Sequence, residues 1–408
     1  MSQSIPRRVR IMQFSSLWRE YRIGGAEATA EEIAKQYVRM GNAVTVVTSV
    51  PRRPCPVRRR DGYRLIELRS RNVYWRFGNA QHSLPFQILW YLVSMLSFYR
   101  VVEFLRLIWR VRPDFIQLHV IEEFSPWLLV ACRLSGVPTL QVNHDYFSMC
   151  VRGSIFRRGQ ECKNTCAMCK PQYYLRKRMS RKIDCQVFIS AAQRRIFLQR
   201  GLLTNRRSCV IYNGIMHDPK LLPEGRLFSS LEALRVGYIG RITPEKGLDQ
   251  FIDAARFFAE NRIPATFLIA GNGPADYVAT LHQRLPDNAK LIGFQNAIEF
   301  LKSVDIFVMP SLWPEPFGRV TAEALYCQSA LVASDVGASA ELAKFFTHSR
   351  LFKMGDARDL YRALLEIRTA CAGQMRHYRD PVAVRELLSV ERQCKELLAQ
   401  MRIILTER

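Results

Sequence analysis

The sequence predicts an α/β chain of two doubly wound domains facing a central cleft, and three observations predict it. Short apolar runs alternate with helical patterns from end to end, the mark of βα units feeding a parallel sheet. The 408 residues exceed what one hydrophobic core usually serves. A stretch carrying Pro, Gly and Lys/Arg with weak periodicity, residues 219–228, separates the apolar runs into two series, as an interdomain linker would.

In the first series, strands are expected at residues 9–14, 43–48, 114–118, 137–142, 185–189 and 208–211, with a helix at 26–40. The second series gives strands at 235–239, 265–270, 289–292, 305–309 and 330–334, each followed by a helical stretch. The boundaries that follow are 1–216 for the first domain, 217–234 for the linker, 235–381 for the second domain and 382–408 for a terminal helical stretch. In such sheets ligands bind beyond the carboxyl ends of the strands, so residues just after each strand are the ones to inspect.

Residues 84–99 carry no charge and are followed by Arg100, Glu103 and Arg106. That run is short of the roughly 20 residues needed to span a bilayer. Residues 84–109 read as a helix buried on the first sheet, with a surface-lying membrane anchor as the alternative. The net charge of +24 attracts anionic partners: acidic lipid, a phosphate-bearing substrate or nucleic acid. No zinc-finger, helix-turn-helix or RNA-binding signature supports the last. The N-terminus runs from a short basic lead into an apolar strand without a signal-peptide core, which places the protein in the cytoplasm, with peripheral contact at the inner face of an anionic membrane as a further expectation. Eleven cysteines are then not a disulfide framework.

Four motifs carry chemistry. Gly240–Gly247 reads GRITPEKG, where the first strand of the second domain gives way to a helix. Arg241 suits bidentate contact with phosphate and Lys246 adds a point charge, which suits a leaving group that gains negative charge. Thr243 and Pro244 have the types of a helix cap and first helical residue. The alternative is a solvated basic turn. Pro314–Leu325 reads PEPFGRVTAEAL, setting Glu315 in a Pro-punctuated loop beside Gly318 and Glu323 in the next helix. Carboxylates accept two hydrogen bonds from a vicinal diol, so this pair fits sugar and ribose hydroxyls. Gly24-Gly25 opens the helix after the first strand and allows close backbone approach, or is a structural turn. It lacks the full dinucleotide fingerprint. His144 follows the strand at 137–142 and faces the expected cleft, as a sugar-contacting or a structural histidine. No two Asp residues are separated by a single residue, the pairing that metal-dependent sugar transferases commonly use.

In order and spacing, the Gly24-Gly25-Ala-Glu27 loop, His144-Asp145, Tyr212-Asn213-Gly214, Gly240-Arg241 through Lys246-Gly247, Ala270-Gly271-Asn272-Gly273-Pro274 and the Glu315/Glu323 pair resemble glycosyltransferase family 4, over nearly the whole chain. The resemblance implies the GT-B fold of two Rossmann-like domains and retaining, metal-independent transfer from a UDP- or GDP-sugar to a glycan or lipid-linked acceptor in cell-surface polysaccharide synthesis. It implies Arg241 and Lys246 on the diphosphate, Glu315 on the donor sugar, Glu323 on the ribose, the Gly24-Gly25 loop near phosphate and acceptor, and His144 near the sugar, with Asp145 a candidate on the acceptor side. The terminal stretch resembles the segment that crosses back to the first domain in this fold. Gly337-Ala338-Ser339-Ala340-Glu341 departs from the usual Gly-Gly-aliphatic-Pro-Glu and puts donor contacts there in question. Another activity on the same fold, such as a sugar-nucleotide epimerase or phosphorylase, and a non-catalytic membrane or nucleic-acid scaffold are the rivals.

Cys150, Cys162, Cys166 and Cys169 cluster in an insertion at 150–170. Four thiolates at such spacing suit a structural Zn²⁺ that pins a loop lacking its own core, with unconnected thiols as the alternative.

Overall fold

The computed structural model describes residues 8–21, 24–51, 54, 57–78, 82–157, 159–203, 207–216, 222–225, 227–232 and 234–407. The N-terminal lead at 1–7, Ile23 of the glycine loop and residues 217–221 of the linker lie outside the described residues. The strands in chain order are β1 (Arg10–Phe14), β2 (Ala43–Val50), β3 (Arg58–Arg60), β4 (Tyr63–Arg69), β5 (Phe115–Leu118), β6 (Thr139–Asn143), β7 (Phe156–Arg157), β8 (Gln160–Glu161), β9 (Cys185–Phe188) and β10 (Arg207–Val210). Then come β11 (Arg235–Ile239), β12 (Thr266–Ala270), β13 (Ala289–Gly293), β14 (Ile306–Met309), β15 (Ala330–Ser334) and β16 (Ser349–Phe352), and the first helix, α1, is Gly25–Arg39.

Two main sheets result. The first has the order β10-β9-β6-β5-β1-β2-β4-β3, parallel except for β3, and the second the order β13-β12-β11-β14-β15-β16, parallel throughout. Strands such as β5, β6 and β14 are buried along their whole length, as parallel strands covered on both faces must be. In each sheet the chain winds first one way and then the other. The switch falls between β1 and β5 in the first and between β11 and β14 in the second, and crevices open there. Two Rossmann-like sheets of this kind make the GT-B architecture.

Three elements differ from expectation. The hairpin of β3 and β4 turns on Asp61-Gly62, both at positive φ, and pairs Arg60 with Tyr63. The Asp-Gly signal was present, but the all-arginine β3 has no apolar alternation to reveal it. Strand β16 was likewise hidden by its exposed polar start. Residues 84–109 form two helices instead of one buried one: α2 (Leu84–Leu96) and α3 (Arg100–Val111), bent by 58°. Only Trp90 and Ser94 of α2 and Arg100, Phe104 and Ile108 of α3 are buried. Among the described residues no single helix is long and apolar enough to cross a membrane.

The helix after β1 (Gly25–Arg39), hereafter the glycine-loop helix, packs through Ile33, Ala34 and Tyr37 into a core that also takes Val390, Cys394 and Leu397 of the last helix, Val390–Thr406. Gln393 on that last helix accepts from the Gly214 amide at 2.9 Å.

Candidate functional site

The second-domain half of the crevice is built by the loops after β11 and β14, which are neighbours in the sheet. Lys246 Nζ donates to Glu315 Oε1 across 69 residues of sequence. The same carboxylate oxygen accepts from Ser311 Oγ at 3.1 Å and Trp313 Nε1 at 3.0 Å, and the Lys246 ammonium stands 5.5 Å from the Trp313 ring. Two glycines permit this closeness. Gly247, at φ +70°, lies so near the Pro310 carbonyl that a Cβ would come within 1.9 Å of it. Gly337, at φ +65°, sits against the Glu315 backbone, where a Cβ would meet the amide nitrogen at 2.5 Å. Ala338 donates its amide to the Glu315 carbonyl at 2.9 Å.

Thr243 stands at the N-cap and Pro244 opens a short 3-10 turn, Pro244–Lys246, as expected, but the Thr243 hydroxyl makes no capping hydrogen bond and is buried without a partner. Arg241 is half exposed, with Glu245 at 4.0 Å and an electrostatic interaction with Glu27 of the other domain.

The first-domain half presents the Gly24-Gly25 loop and the glycine-loop helix. Gly24 donates its amide to Glu27 Oε2 at 3.0 Å, closing the helix start. A Cβ on Gly25 would stand 3.1 Å from Arg319, so the close approach expected of this loop is made to a side chain of the facing domain. Arg319 follows Gly318 at the head of the helix Arg319–Tyr326. Its guanidinium grips Glu32 of the glycine-loop helix in bidentate fashion, at 2.7 and 2.8 Å, and its Nε donates to Glu323 Oε1 at 2.9 Å. Glu323 is thereby held by an arginine that spans the crevice. Burial raises the Glu323 carboxyl and Arg319 lowers it, with the net shift upward.

His144 follows β6 and is buried, its Nε2 2.9 Å from Nδ1 of His119, which follows β5. His119 Nε2 is 3.3 Å from the Gln13 amide nitrogen on β1. Burial lowers His144 to about 4 and His119 well below its ordinary value, so both rings are neutral near pH 7. With Gln13 donating, the relay runs Gln13 to His119 to His144. His144 Nδ1 is then the end that lacks a protein partner. Asp145, next along, receives the Phe147 amide at 2.8 Å, and burial together with the charge of Glu122 pushes its carboxyl up to about 7. Glu122 is held in turn by Arg76 Nε at 3.1 Å.

Tyr146 joins the halves by donating to the Pro314 carbonyl at 2.9 Å. Trp313 inserts into an apolar cluster of the first domain with Tyr146, Phe156, Phe188 and Phe197. Glu341 in the departing Gly337–Glu341 stretch also crosses over: it accepts from the amides of Ala191 and Ala192 and from Tyr212 Oη at 2.8 Å.

Cys150 and Cys169 belong to the same apolar cluster and Cys166 packs against it, so the premise that the insertion lacks a core does not hold. Cys166 Sγ lies 3.4 Å from Cys169 Sγ, and a hydrogen bond from Cys169 lowers the Cys150 thiol to about 6. Cys162 is more exposed, and among the described residues no three His, Cys, Asp or Glu side chains are arranged to hold a metal ion.

Sequence reasoning missed Arg319, Glu32, His119 and Glu122, and it met Glu341 only as part of a departing donor motif. Two signals were available: Arg319 precedes Glu323 by one helical turn, the spacing of a helical ion pair, and His119 ends a strand just as His144 does.

Two family models match in succession: a glycosyl transferase 4-like domain over residues 24–214 and glycosyl transferases group 1 over 227–370. An uncharacterized 42.6 kDa protein in the cps region of Klebsiella pneumoniae is 25% identical over 350 residues, covering 86% of this chain and 91% of that protein. The lipopolysaccharide core biosynthesis mannosyltransferase LpcC of Rhizobium leguminosarum is 27% identical over 210 residues, 44% of this chain and 59% of its own length. The crystal structure of Anabaena HepE in complex with UDP and glucose superposes with a TM-score of 0.65 at 19% identity, over 96% of this chain and all of that one.

Proposed function

Since the chain belongs to glycosyltransferase family 4 and has the GT-B fold, we propose that it is a retaining, metal-independent hexosyltransferase that moves a sugar from a UDP- or GDP-sugar to a glycan or lipid-linked acceptor in cell-surface polysaccharide synthesis. The observation that carries this reading is the Lys246–Glu315 pair beside Arg241 at the β11/β14 switch point. Arg241 and Lys246 bind the diphosphate and stabilise the charge it gains as the sugar bond breaks, the work a divalent ion does elsewhere. Glu315, oriented by Ser311 and Trp313, takes sugar hydroxyls. Glu323, oriented by Arg319, takes the ribose. The Gly24-Gly25 loop approaches the phosphates, and neutral His144 offers Nδ1 to a sugar hydroxyl. The acceptor hydroxyl forms its bond to the anomeric carbon on the face from which the diphosphate leaves, and its proton passes to the departing phosphate oxygen. No protein nucleophile is required.

The Rhizobium relative supports a place in glycan assembly, and the UDP and glucose in the Anabaena protein support the donor class. The test is release of nucleoside diphosphate across a panel of UDP- and GDP-sugars with a chelator present. One donor is expected to turn over undiminished by chelation. If every donor gives only the background of the Glu315→Ala variant, the reading falls.

A further inference from the structure

α2, the bend after it and α3 expose a set of large apolar side chains. Leu84, Phe86, Leu92 and Leu96 on α2, Phe98 at the bend and Trp109 on α3 are all exposed, from 49% at Leu92 to 68% at Leu96. Leu92 and Leu96 lie across α2 from Trp90 and Ser94, which face the core, and Trp109 lies about 100° round α3 from the buried Ile108. An apolar face of this extent on a soluble surface marks an interaction site. Arg106, Arg110 and Arg112 are exposed beside Trp109, whereas Glu103 on the same helix is engaged by Arg100 and Arg71. We propose that this face docks on a bilayer that bears anionic lipid, with α2 and α3 lying in the plane of the headgroups.

Charge and geometry both select a bilayer as the occupant. The arginines flank the apolar face as cations flank a helix that sinks between acyl chains, and a tryptophan stands at their level, where interfacial aromatic side chains sit. Spanning is excluded for α2: its 13 residues reach only about 20 Å, against a hydrocarbon core of about 30 Å. α3 leaves the axis of α2 at 58°, so the two make a bent pair and not one straight span. The inward side of α2 leads to the acceptor wall. Tyr91 Oη donates to the Val151 carbonyl at 2.8 Å beside Arg76, and Arg76 holds Glu122. An acceptor carried on a lipid would thus arrive next to Asp145 without leaving the membrane surface, although docking itself rests on nothing in the donor site.

The experiment sediments the full chain with phosphatidylcholine vesicles, with and without phosphatidylglycerol, while nucleoside diphosphate release is followed on the same samples. The expected result is binding that requires phosphatidylglycerol and weakens with salt. It should fall about fivefold for each arginine lost in Arg106→Ser/Arg110→Ser, and at least tenfold in Leu92→Glu/Leu96→Glu. A blue shift of tryptophan emission on vesicles should disappear in Trp109→Phe. The arginine and tryptophan variants touch no core packing, so they decide the matter even if the glutamate variant fails to fold. Wild-type protein left in the supernatant at low salt, or variants that bind as wild type does, would overturn the proposal. So would a dimer in solution that Leu92→Glu/Leu96→Glu splits, since a second copy would then own the face. Failure of donor turnover with intact vesicle binding indicts the transfer reading and leaves docking standing.

Discussion

Replacing Lys246 by Met removes the cation from a carboxylate almost wholly out of water: the two side chains are 12% and 8% exposed. Breaking a buried pair from one side costs about 3–5 kcal/mol, because the stranded charge keeps its desolvation penalty. Ser311 and Trp313 still donate to Glu315, and hydrogen bonds to a charged group contribute about 1.5–3 kcal/mol each, so the lower end, about 3 kcal/mol, is expected. In a domain of this size 1 kcal/mol moves Tm by about 2–4 °C, which gives a fall of about 6–12 °C. The double variant Lys246→Met/Glu315→Gln removes both charges together and should recover much of that loss. Turnover should not recover, since the diphosphate has lost its point charge. A deficit of about 100–1000-fold is expected in both variants, by analogy with loss of one oxyanion donor. Calorimetry and nucleoside diphosphate release at saturating donor measure the two effects separately. Lys246→Met with a lowered Tm but turnover within about threefold of wild type would refute the argument, because the pair would then be structural alone.

Three further outcomes follow from the same geometry. Arg319→Ala should raise donor KM more than it lowers kcat, because Glu323 loses its orienting partner while the groups on the diphosphate remain; an unchanged KM in steady-state assays would detach Arg319 from the donor. Asp145 carries a folded-state value near 7 against an ordinary 3.8, so between those values the folded chain holds a proton that the unfolded chain has lost, and stability falls as pH rises through that window, by up to about 1.4 kcal/mol per pH unit. Asp145→Asn should flatten the pH dependence of Tm between 5 and 7, and an unaltered slope would contradict the assignment. Elemental analysis of the purified protein should give well under one zinc per chain; one full equivalent that is lost in Cys150→Ser would restore the four-thiolate site.

The fold was largely legible because parallel strands buried on both faces write themselves as apolar runs. Strands 235–239 and 330–334 match β11 and β15 to the residue. Exposed edges write no such pattern, which is why β3, made of three arginines, passed unread. At the site, loops at strand ends gave Arg241, Lys246, Glu315 and His144, but not the partners that tie them. The pairing of Lys246 with Glu315 depends on β11 and β14 lying side by side. The grip of Arg319 on Glu32 depends on how two domains face each other, and no local spacing encodes that. Glu341 was read as a departure from a donor motif, whereas it caps a helix of the opposite domain. The segment at 84–109 shows the same limit from the apolar side: composition cannot say whether a hydrophobic helix turns inward or outward.

Trp313 sits two residues from Glu315 yet packs among aromatic side chains of the first domain. A chimaera that grafts a relative's first domain onto this second domain, the obvious way to change which acceptor is used, would therefore also remould the seat of the donor loop. Exchange between such enzymes, in the laboratory or by recombination, should succeed only where the incoming half brings a socket shaped for that indole.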